Sequence, residues 1–183
     1  MTALLRFDDV ALRRGGRLLF EGLSLDLHPG EALHVMGPNG SGKSSLIRLA
    51  AGLLRAERGR VDRAALALAN DDLALDRELP LRRALGFWSR DIEAPMEWLG
   101  IDHLAHVPVR LLSSGQAKRA TIARVAASMA PLWLLDEPLN ALDAKGGECL
   151  SVLVEKHLAS GGAIVAASHQ SLPGRWSKLE LGA

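Results

Sequence analysis

A glycine-rich segment at residues 37–44, GPNGSGKS, has the residue types that bind phosphate groups. Its glycines allow backbone conformations that residues with a Cβ avoid, so that successive N–H groups can point at one anion. The ammonium of Lys43 can pair with the outer phosphates of a nucleotide, and the hydroxyl of Ser44 is a ligand for Mg²⁺. The spacing predicts a phosphate-binding loop for a nucleoside triphosphate with magnesium. The residues expected at this site are Gly37, Pro38, Asn39, Gly40, Ser41, Gly42, Lys43, Ser44 and Ser45.

The residues on either side of this loop predict the strand and the helix that such a site requires. Residues 31–36 read as a short buried strand, and a helix is expected near residues 43–51, with the positive end of its dipole at the loop. The alternative is a glycine-rich turn that happens to precede a lysine. A chance match in a chain of this size is on the order of one in a hundred or rarer. The apolar residues at helical spacing are Leu46, Ile47, Leu49, Ala50 and Leu53.

A second motif, LWLLDEP at residues 132–138, is an apolar strand that ends in two carboxylates. Since the carboxyl ends of parallel strands meet at one sheet edge, Asp136 is expected beside the phosphate loop, where it can hold Mg²⁺ or its water. Glu137 is then able to orient or deprotonate the attacking water. The alternative is that these residues are simply a solvated strand end, and it is disfavoured because a phosphate loop lies upstream in the sequence.

A third motif, LSSGQ at residues 112–116, precedes a predicted helix. Ser113 is a plausible N-cap and Gly115 permits close backbone approach, so this helix start is suited to a phosphate. Taken alone, the segment is more simply explained as a capped helix start.

The composition favours one globular domain, or one core with a small satellite subdomain. The chain has 183 residues, is 48% apolar and carries a net charge of +1, which gives no global basic field for nucleic acid. The single Cys149 excludes an internal disulfide framework and fits a reducing compartment. We expect no signal peptide, because charged residues interrupt the first nine residues. We expect no membrane span, because no stretch approaches the roughly 18 to 20 apolar residues a span requires.

The order of predicted elements indicates an α/β fold with a mainly parallel sheet. An antiparallel β region is expected within residues 3–27. Residues 61–70 could form a strand or a helix, and a strand is favoured. Helical structure interrupted by Pro80, Pro95 and Pro108 is expected over 76–112. The remaining predictions are a helix over 115–129, a strand over 132–135, a helix over 145–158 and a strand over 163–167.

The order of these motifs resembles that of the ATP-binding cassette (ABC) ATPases. The resemblance implies a P-loop NTPase with the ABC fold, a single ATP-binding domain over residues 1–183. Within it, an antiparallel β region would occupy residues 1–30 and a helical subdomain about 76–115, and the remainder would form the P-loop core. The matching segments are 37–44, 112–116, 136–137, 142–143 and 168–169.

The resemblance also implies how these residues act. The active form would be a head-to-tail homodimer in which Ser113 and Gly115 of one subunit clamp the γ-phosphate of ATP held by Lys43 of the other. Glu137 would be the catalytic base and His169 would contact the γ-phosphate. Two further nucleotide-site residues are Gln116, from the same motif as Ser113, and Asp143, which would link the two sites.

Residues 130–138 and 161–173 are similar to the ATP-binding subunits of the cytochrome c maturation haem exporter, which are also short. This similarity implies integral membrane partners and a peripheral location at the cytoplasmic face of the bacterial inner membrane. ATP hydrolysis would serve export of haem or release of a haem-loaded chaperone. The alternatives are another small transporter, a nucleotide-gated module without turnover, or an ABC ATPase acting on nucleic acid or the ribosome. No nucleic acid partner is expected, because the chain lacks the coiled-coil insertion or second cassette usual there.

The sequence departs from the family pattern in three places. No aromatic residue is available to stack on adenine in the first β region, where Arg13 and Arg14 occupy the expected neighbourhood. The glutamine loop should fall near residues 70–72, where Asp72 is the suggested replacement and a tentative metal ligand. Ser114 replaces the usual glycine, with little loss expected.

Other residues receive structural interpretations. His103 and His106 are expected to be surface histidines rather than metal ligands. The cations Lys118, Arg119 and Arg124 are expected on a solvated face or near phosphate. The expected core of the helical subdomain is Trp88, Met96 and Trp98, with docking of a membrane subunit as the alternative.

Overall fold

The centre of the molecule is a parallel sheet that carries the predicted strand ends. The computed structural model describes residues 2–182. Within them, five strands lie in the order β5-β6-β7-β3-β8, and each neighbouring pair is parallel. The strands are β3 (Ala32–Met36), β5 (Leu66–Ala69), β6 (Leu132–Asp136), β7 (Ala163–Ala167) and β8 (Ser177–Glu180).

A second, antiparallel sheet covers one side of the molecule. Its strand order is β2-β1-β4, with β1 (Leu5–Arg14) in the middle, β2 (Arg17–Leu27) on one side and β4 (Arg58–Arg63) on the other. A two-residue turn joins β1 to β2, and both residues, Gly15 and Gly16, have positive φ. Glycine is favoured there because φ is positive at both central positions of such a turn.

Helices cover both faces of the parallel sheet. The helix α1 (Lys43–Ala50) follows β3 directly, and α4 (Ser114–Ala127) and α5 (Ala144–Ala159) flank β6 in sequence. Between β5 and α4 the chain forms two short helices, α2 (Leu81–Gly86) and α3 (Glu93–Trp98), and two 3₁₀ turns at Asp102–Leu104 and Val109–Leu111.

The two faces of the parallel sheet bury separate hydrophobic cores. Strand side chains alternate between faces, so Leu132 and Leu134 of β6 join the core shared with α1 and the antiparallel sheet. Trp133 and Leu135 join the core shared with α4, α5 and the helical segment. Because both faces are covered, β6 and β7 are buried along their whole length, which is the reason for their uninterrupted apolar sequences.

The predicted fold class, α/β with a mainly parallel sheet core, an antiparallel region and a helical segment, is confirmed. The single strand expected over 61–70 is wrong, because this region forms the end of β4 and then β5, which belong to different sheets. The strand β8 was not predicted. Its four residues have one partly buried apolar side chain, Leu179, too weak a pattern to predict a strand.

Two predictions about side-chain burial are also corrected. Lys118 and Arg124 lie buried inside α4 instead of on a solvated face, because that helix contacts β5, α5 and the helical segment at once. Burial lowers the pKa of both side chains. In the helical subdomain Met96 is buried as expected, but Trp88 and Trp98 are each more than two-fifths exposed.

No helix within residues 2–182 combines the length and the apolar character needed to cross a lipid bilayer.

Two histidines, the buried His34 and the partly buried His157, make stability depend on pH. Burial lowers the pKa of His34 and His157, so the folded chain binds protons at these rings less readily than the unfolded chain does. The unfolded chain takes up protons below about pH 6.5, and stability is therefore lost as the pH falls through that value. We expect the free energy of unfolding, measured with urea, to decrease between pH 7.5 and pH 5.5. The decrease should be up to about 1.4 kcal/mol per pH unit for each ring.

The variant His157→Phe provides the control for this prediction. It keeps an aromatic ring against Trp133, on which the ring of His157 is stacked with centroids 3.9 Å apart. Because it removes the titrating group, the free energy of unfolding should depend less steeply on pH. An unfolding free energy that stays constant over this pH range would contradict the prediction.

Candidate nucleotide site

The phosphate loop connects β3 to α1 and closes around the ammonium of Lys43. Gly42 is the N-cap of α1 and has a left-handed backbone, with φ of 106°, a conformation that glycine adopts without strain. The Nζ atom of the buried Lys43 donates to the carbonyl oxygens of Gly37, at 2.8 Å, and Pro38, at 3.1 Å. The ammonium therefore lies across the loop, where it can face the phosphates of a nucleotide.

The start of the loop packs too tightly for any side chain at Gly37. A Cβ on this residue would collide with the carbonyl oxygen of Leu181, just beyond β8, and would lie 2.8 Å from the Oγ atom of Ser41. That hydroxyl is buried and has no hydrogen-bond partner among the described residues. The start of the loop is therefore packed against the segment after β8, and only glycine fits at this position.

Asp136, at the end of β6, lies next to the beginning of α1. Its Oδ1 atom accepts a hydrogen bond of 2.9 Å from the hydroxyl of Ser44. Burial raises the pKa of Asp136, and the nearby charges of Asp71 and Glu137 raise it further. A hydroxyl and a carboxylate oxygen in contact are donors that Mg²⁺ favours, and a cation here would stabilise the ionised carboxylate. The residues fit the predicted magnesium site.

Glu137 and His169 meet at the ends of the neighbouring strands β6 and β7. The Oε2 atom of Glu137 lies 3.0 Å from Nδ1 of His169. The backbone of Glu137 is left-handed, with φ of 48°, and its N–H donates to the carbonyl oxygen of Ala167 at 2.8 Å. Such backbone strain is common at functional sites. A carboxylate held against an imidazole at the mouth of the loop can act as a general base.

A cleft of about 380 Å³ joins the loop to the antiparallel sheet. Arg14 and Arg17, on either side of the β1–β2 turn, line it together with Glu137. Arg14 reaches the hydroxyl of Ser45 at 3.4 Å, whereas Arg13 points to Glu57 at 3.3 Å. Arg13 and Arg14 were both suggested to stack on the adenine of the nucleotide, and the structure therefore places only Arg14 in this cleft. Arg17 was missed, because nothing local in the sequence brings it to the loop.

The third motif lies in a different cleft, of about 430 Å³. Ser113 is the N-cap of α4 and forms a capping box with Gln116: the Gln116 N–H donates to the Ser113 Oγ at 3.3 Å, and the Ser113 N–H donates to the Gln116 side chain at 2.9 Å. A Cβ on Gly115 would lie 2.8 Å from the carbonyl oxygen of Ala141, so the close backbone approach is present. Within residues 2–182, this cleft and the phosphate-loop cleft have no lining residue in common.

Asp143 also lines the second cleft and holds the start of α5. Its Oδ1 atom accepts a hydrogen bond of 2.9 Å from the N–H of Gly146 and pairs with the guanidinium of Arg119. These two partners lower the pKa of Asp143. The carboxylate is thereby fixed beside the start of α4 in its ionised form.

The suggested metal ligand Asp72 is exposed, and it accepts a hydrogen bond of 3.2 Å from the side chain of Asn70. Its neighbour Asp71 is the residue whose charge acts on Asp136 and on Lys118. Asp71, although also exposed, is therefore the carboxylate of residues 70–72 whose charge acts on Asp136, the predicted magnesium ligand.

Comparisons with known proteins agree with this geometry. The sequence pattern of the ABC transporter family matches residues 20–140. The chain is 58% identical to the cytochrome c biogenesis ATP-binding export protein CcmA of Novosphingobium aromaticivorans, over 90% of this chain and 87% of that protein. It is 53% identical to the protein of the same name from Sphingopyxis alaskensis, over 94% and 93%.

The structure superposes on the solved ATP-binding subunit of an ABC transporter with a TM-score of 0.83, covering 91% of this chain and 79% of that one at 21% identity. This likeness supports the ABC fold. The chain therefore belongs to the ABC transporter family, in which it groups with the cytochrome c biogenesis ATP-binding export proteins, and it is an ATP-hydrolysing enzyme.

Proposed function

We propose that this chain is the ATP-hydrolysing subunit of a membrane complex that exports haem, or releases a haem-loaded chaperone, in cytochrome c maturation. The name of its relatives supports the pathway. The observation that carries the catalytic part is the Glu137–His169 pair, 3.0 Å apart, beside the phosphate loop. A nucleotide-gated module without turnover would have no need for a base held in this way.

The reaction assigns a separate task to each of these residues. Lys43 and the loop N–H groups hold the phosphates of ATP, and Glu137 accepts a proton from the water that attacks the γ-phosphorus. The bond from that phosphorus to the bridging oxygen breaks, which leaves ADP and phosphate. His169 keeps the Glu137 carboxylate in place through its Nδ1 contact and is the residue proposed to reach the γ-phosphate.

Ser44 and Asp136 are the residues that would hold Mg²⁺, as their 2.9 Å contact supports. When bound, the ion would neutralise charge on the phosphates. Asp71, whose charge acts on Asp136, replaces Asp72 as the proposed second acidic group of this site.

The active form is proposed to be a head-to-tail homodimer on ATP binding. The phosphate loop and the cleft of Ser113, Gly115, Gln116 and Asp143 are separate within one chain. A second copy that presents Ser113 and Gly115 to the phosphate loop of the first would bring the two half-sites together. The N–H groups at the start of α4 would then face the γ-phosphate, which a helix N-terminus favours.

Integral membrane subunits are proposed to dock on the exposed aromatic pair Phe87 and Trp88. Phe87 is 83% exposed and packs edge-on against Trp88, with centroids 5.6 Å apart. Trp88 is fixed by a hydrogen bond of 3.0 Å to the carbonyl oxygen of Ala74 and by the guanidinium of Arg124, which lies over its ring. A rigid aromatic pair at the surface is a typical anchor for a protein partner. The chain would then lie peripherally at the cytoplasmic face of the bacterial inner membrane.

The proposal is tested by a pull-down of tagged Glu137→Gln protein from its native membranes with ATP. We expect membrane proteins of cytochrome c maturation to be recovered, and Phe87→Ser in the same background to lose them. Leu53→Ser is the matched control, because Leu53 is also an exposed apolar residue but follows α1 on the other side of the sheet. Recovery of ribosomes or DNA would favour an ABC ATPase that acts on the ribosome or on nucleic acid, and would reject the membrane partner.

A further inference from the structure

The ammonium of Lys118 is buried beside the catalytic strand, and the proposed reaction does not use it. Lys118 lies in the second turn of α4 and is only 8% exposed. Its Nζ atom donates to the carbonyl oxygen of Asp136 at 3.3 Å. Burying a lysine is costly unless its charge is compensated. An apolar residue would fill the same place at a lower desolvation cost, so the contacts of the ammonium indicate its role.

The peptide between Asp136 and Glu137 is held from two sides. On one side, Lys118 donates to its carbonyl oxygen. On the other side, its N–H donates to the carbonyl oxygen of Ala167 in β7 at 2.8 Å. Both polar groups of this peptide therefore have partners, each from a different element of the fold.

This peptide leads into a strained residue. Glu137 has φ of 48°, a left-handed backbone that is unfavourable for a residue with a side chain. Such a conformation persists only where the surroundings impose it. The two hydrogen bonds on the preceding peptide are the contacts that fix its plane, and that plane sets the direction in which the Glu137 side chain leaves the strand.

The electrostatic surroundings agree with this interpretation. The carboxylates whose charges act on Lys118 are Asp71, Asp136 and Glu137. A cation among these three acidic groups lowers their mutual repulsion, and Arg48 adds a second positive charge near Asp136. A neutral side chain at this position would remove the one ammonium charge that acts together with all three carboxylates.

We propose that Lys118 is a positioning residue that holds the Asp136–Glu137 peptide, and so keeps the Glu137 carboxylate on His169 and at the phosphate loop. This inference rests on the proposed catalytic role of Glu137. Since Lys118 and Ser113 belong to the same helix, a shift of α4 would reach the catalytic carboxylate directly through this contact.

The test compares Lys118→Met with Lys118→Arg in the full-length protein. Methionine keeps a long unbranched chain but removes the donor and the charge, and arginine keeps both. We expect Lys118→Met to lower kcat about 10- to 100-fold, with KM for ATP within about threefold of the unchanged protein. Lys118→Arg should recover most of kcat, and ATP affinity in the Glu137→Gln background should not respond to Lys118→Met.

Thr121→Val is the matched control on the same helix. Thr121 is buried, and its hydroxyl donates within α4 to the carbonyl oxygen of Ala117 at 3.1 Å, without touching the strand end. It should lower the melting temperature without changing kcat per ATP-binding site. If Lys118→Met does not fold, Lys118→Gln, which removes the charge, carries the same comparison.

Two outcomes would overturn the inference: a kcat of Lys118→Met within twofold of the unchanged protein, or a loss of kcat matched by an equal loss of ATP binding. The Glu137→Gln variant separates the two proposals. If it is inactive while Lys118→Met is fully active, only the role of Lys118 fails. If Glu137→Gln itself hydrolyses ATP at full rate, the proposed catalytic base fails.

Discussion

Replacing Glu137 by glutamine should lower ATP turnover by about 10²- to 10⁴-fold, or roughly 3 to 5 kcal/mol in the activation barrier, and leave ATP binding in place. The amide has the shape of the carboxylate and can keep the contact with His169, which is 3.0 Å in the structure, but it does not accept a proton from water. Binding is retained because the phosphates are held by the loop and by Lys43.

The measurement is steady-state phosphate release together with ATP binding by calorimetry. Because the arrested protein keeps its nucleotide, it should also accumulate as an ATP-dependent dimer in size-exclusion chromatography. Glu155→Gln is the control, since Glu155 is an exposed carboxylate on α5, and its turnover should match that of the unchanged protein. Turnover by Glu137→Gln at the unchanged rate would remove Glu137 from the role of base.

Replacing Lys43 by alanine should weaken ATP binding itself, by about 10- to 100-fold. The estimate follows from the roughly 1.5–3 kcal/mol that a hydrogen bond to a charged group contributes. Lys43 is buried in the loop, and its Nζ atom is held by the carbonyl oxygens of Gly37 and Pro38, so alanine would remove a positive charge that is fixed at the phosphate loop.

Calorimetry with ATP and with adenosine separates this effect from general damage to the site. The loss should appear for ATP and be absent for adenosine, which has no phosphate for the ammonium to contact. Lys156→Ala provides the control, because Lys156 is exposed on α5 and lies over the ring of Trp98. An unchanged ATP affinity in Lys43→Ala would contradict the assignment of the phosphate loop.

The parts of the site that could be predicted from sequence are those formed by consecutive residues of a short motif. The loop at 37–44 needs its glycines, lysine and serine at fixed spacing, so one short segment specifies both the chemistry and the local backbone. The same holds for an apolar strand that ends in Asp136 and Glu137, since a parallel sheet places such ends at one edge. The Asp136–Ser44 contact confirms that expectation.

The parts that could not be predicted depend on contacts between distant segments. Arg17 reaches the nucleotide cleft because the antiparallel sheet folds over the loop, and no local pattern specifies that packing. The choice between Asp71 and Asp72 similarly depends on which carboxylate the loop after β5 turns towards Asp136. The predicted exposure of the α4 cations is wrong for a related reason. The sequence around Lys118 is typical of a solvated helix face, but the helix is covered on most sides.

The position of β3 in the sheet has a consequence for the order in which the chain can acquire its activity. This strand leads into the phosphate loop, yet its two neighbours in the sheet, β7 and β8, come near the C-terminal end of the sequence. During synthesis, the hairpin of β1 and β2 can form as soon as it emerges, whereas the loop must wait for pairings that are distant in sequence and slow to form. A fragment that ends before β7 would contain the complete phosphate-loop motif and still be unable to hold ATP. The motif is encoded early, but ATP binding requires that β7 and β8 have also been synthesised and have paired with β3.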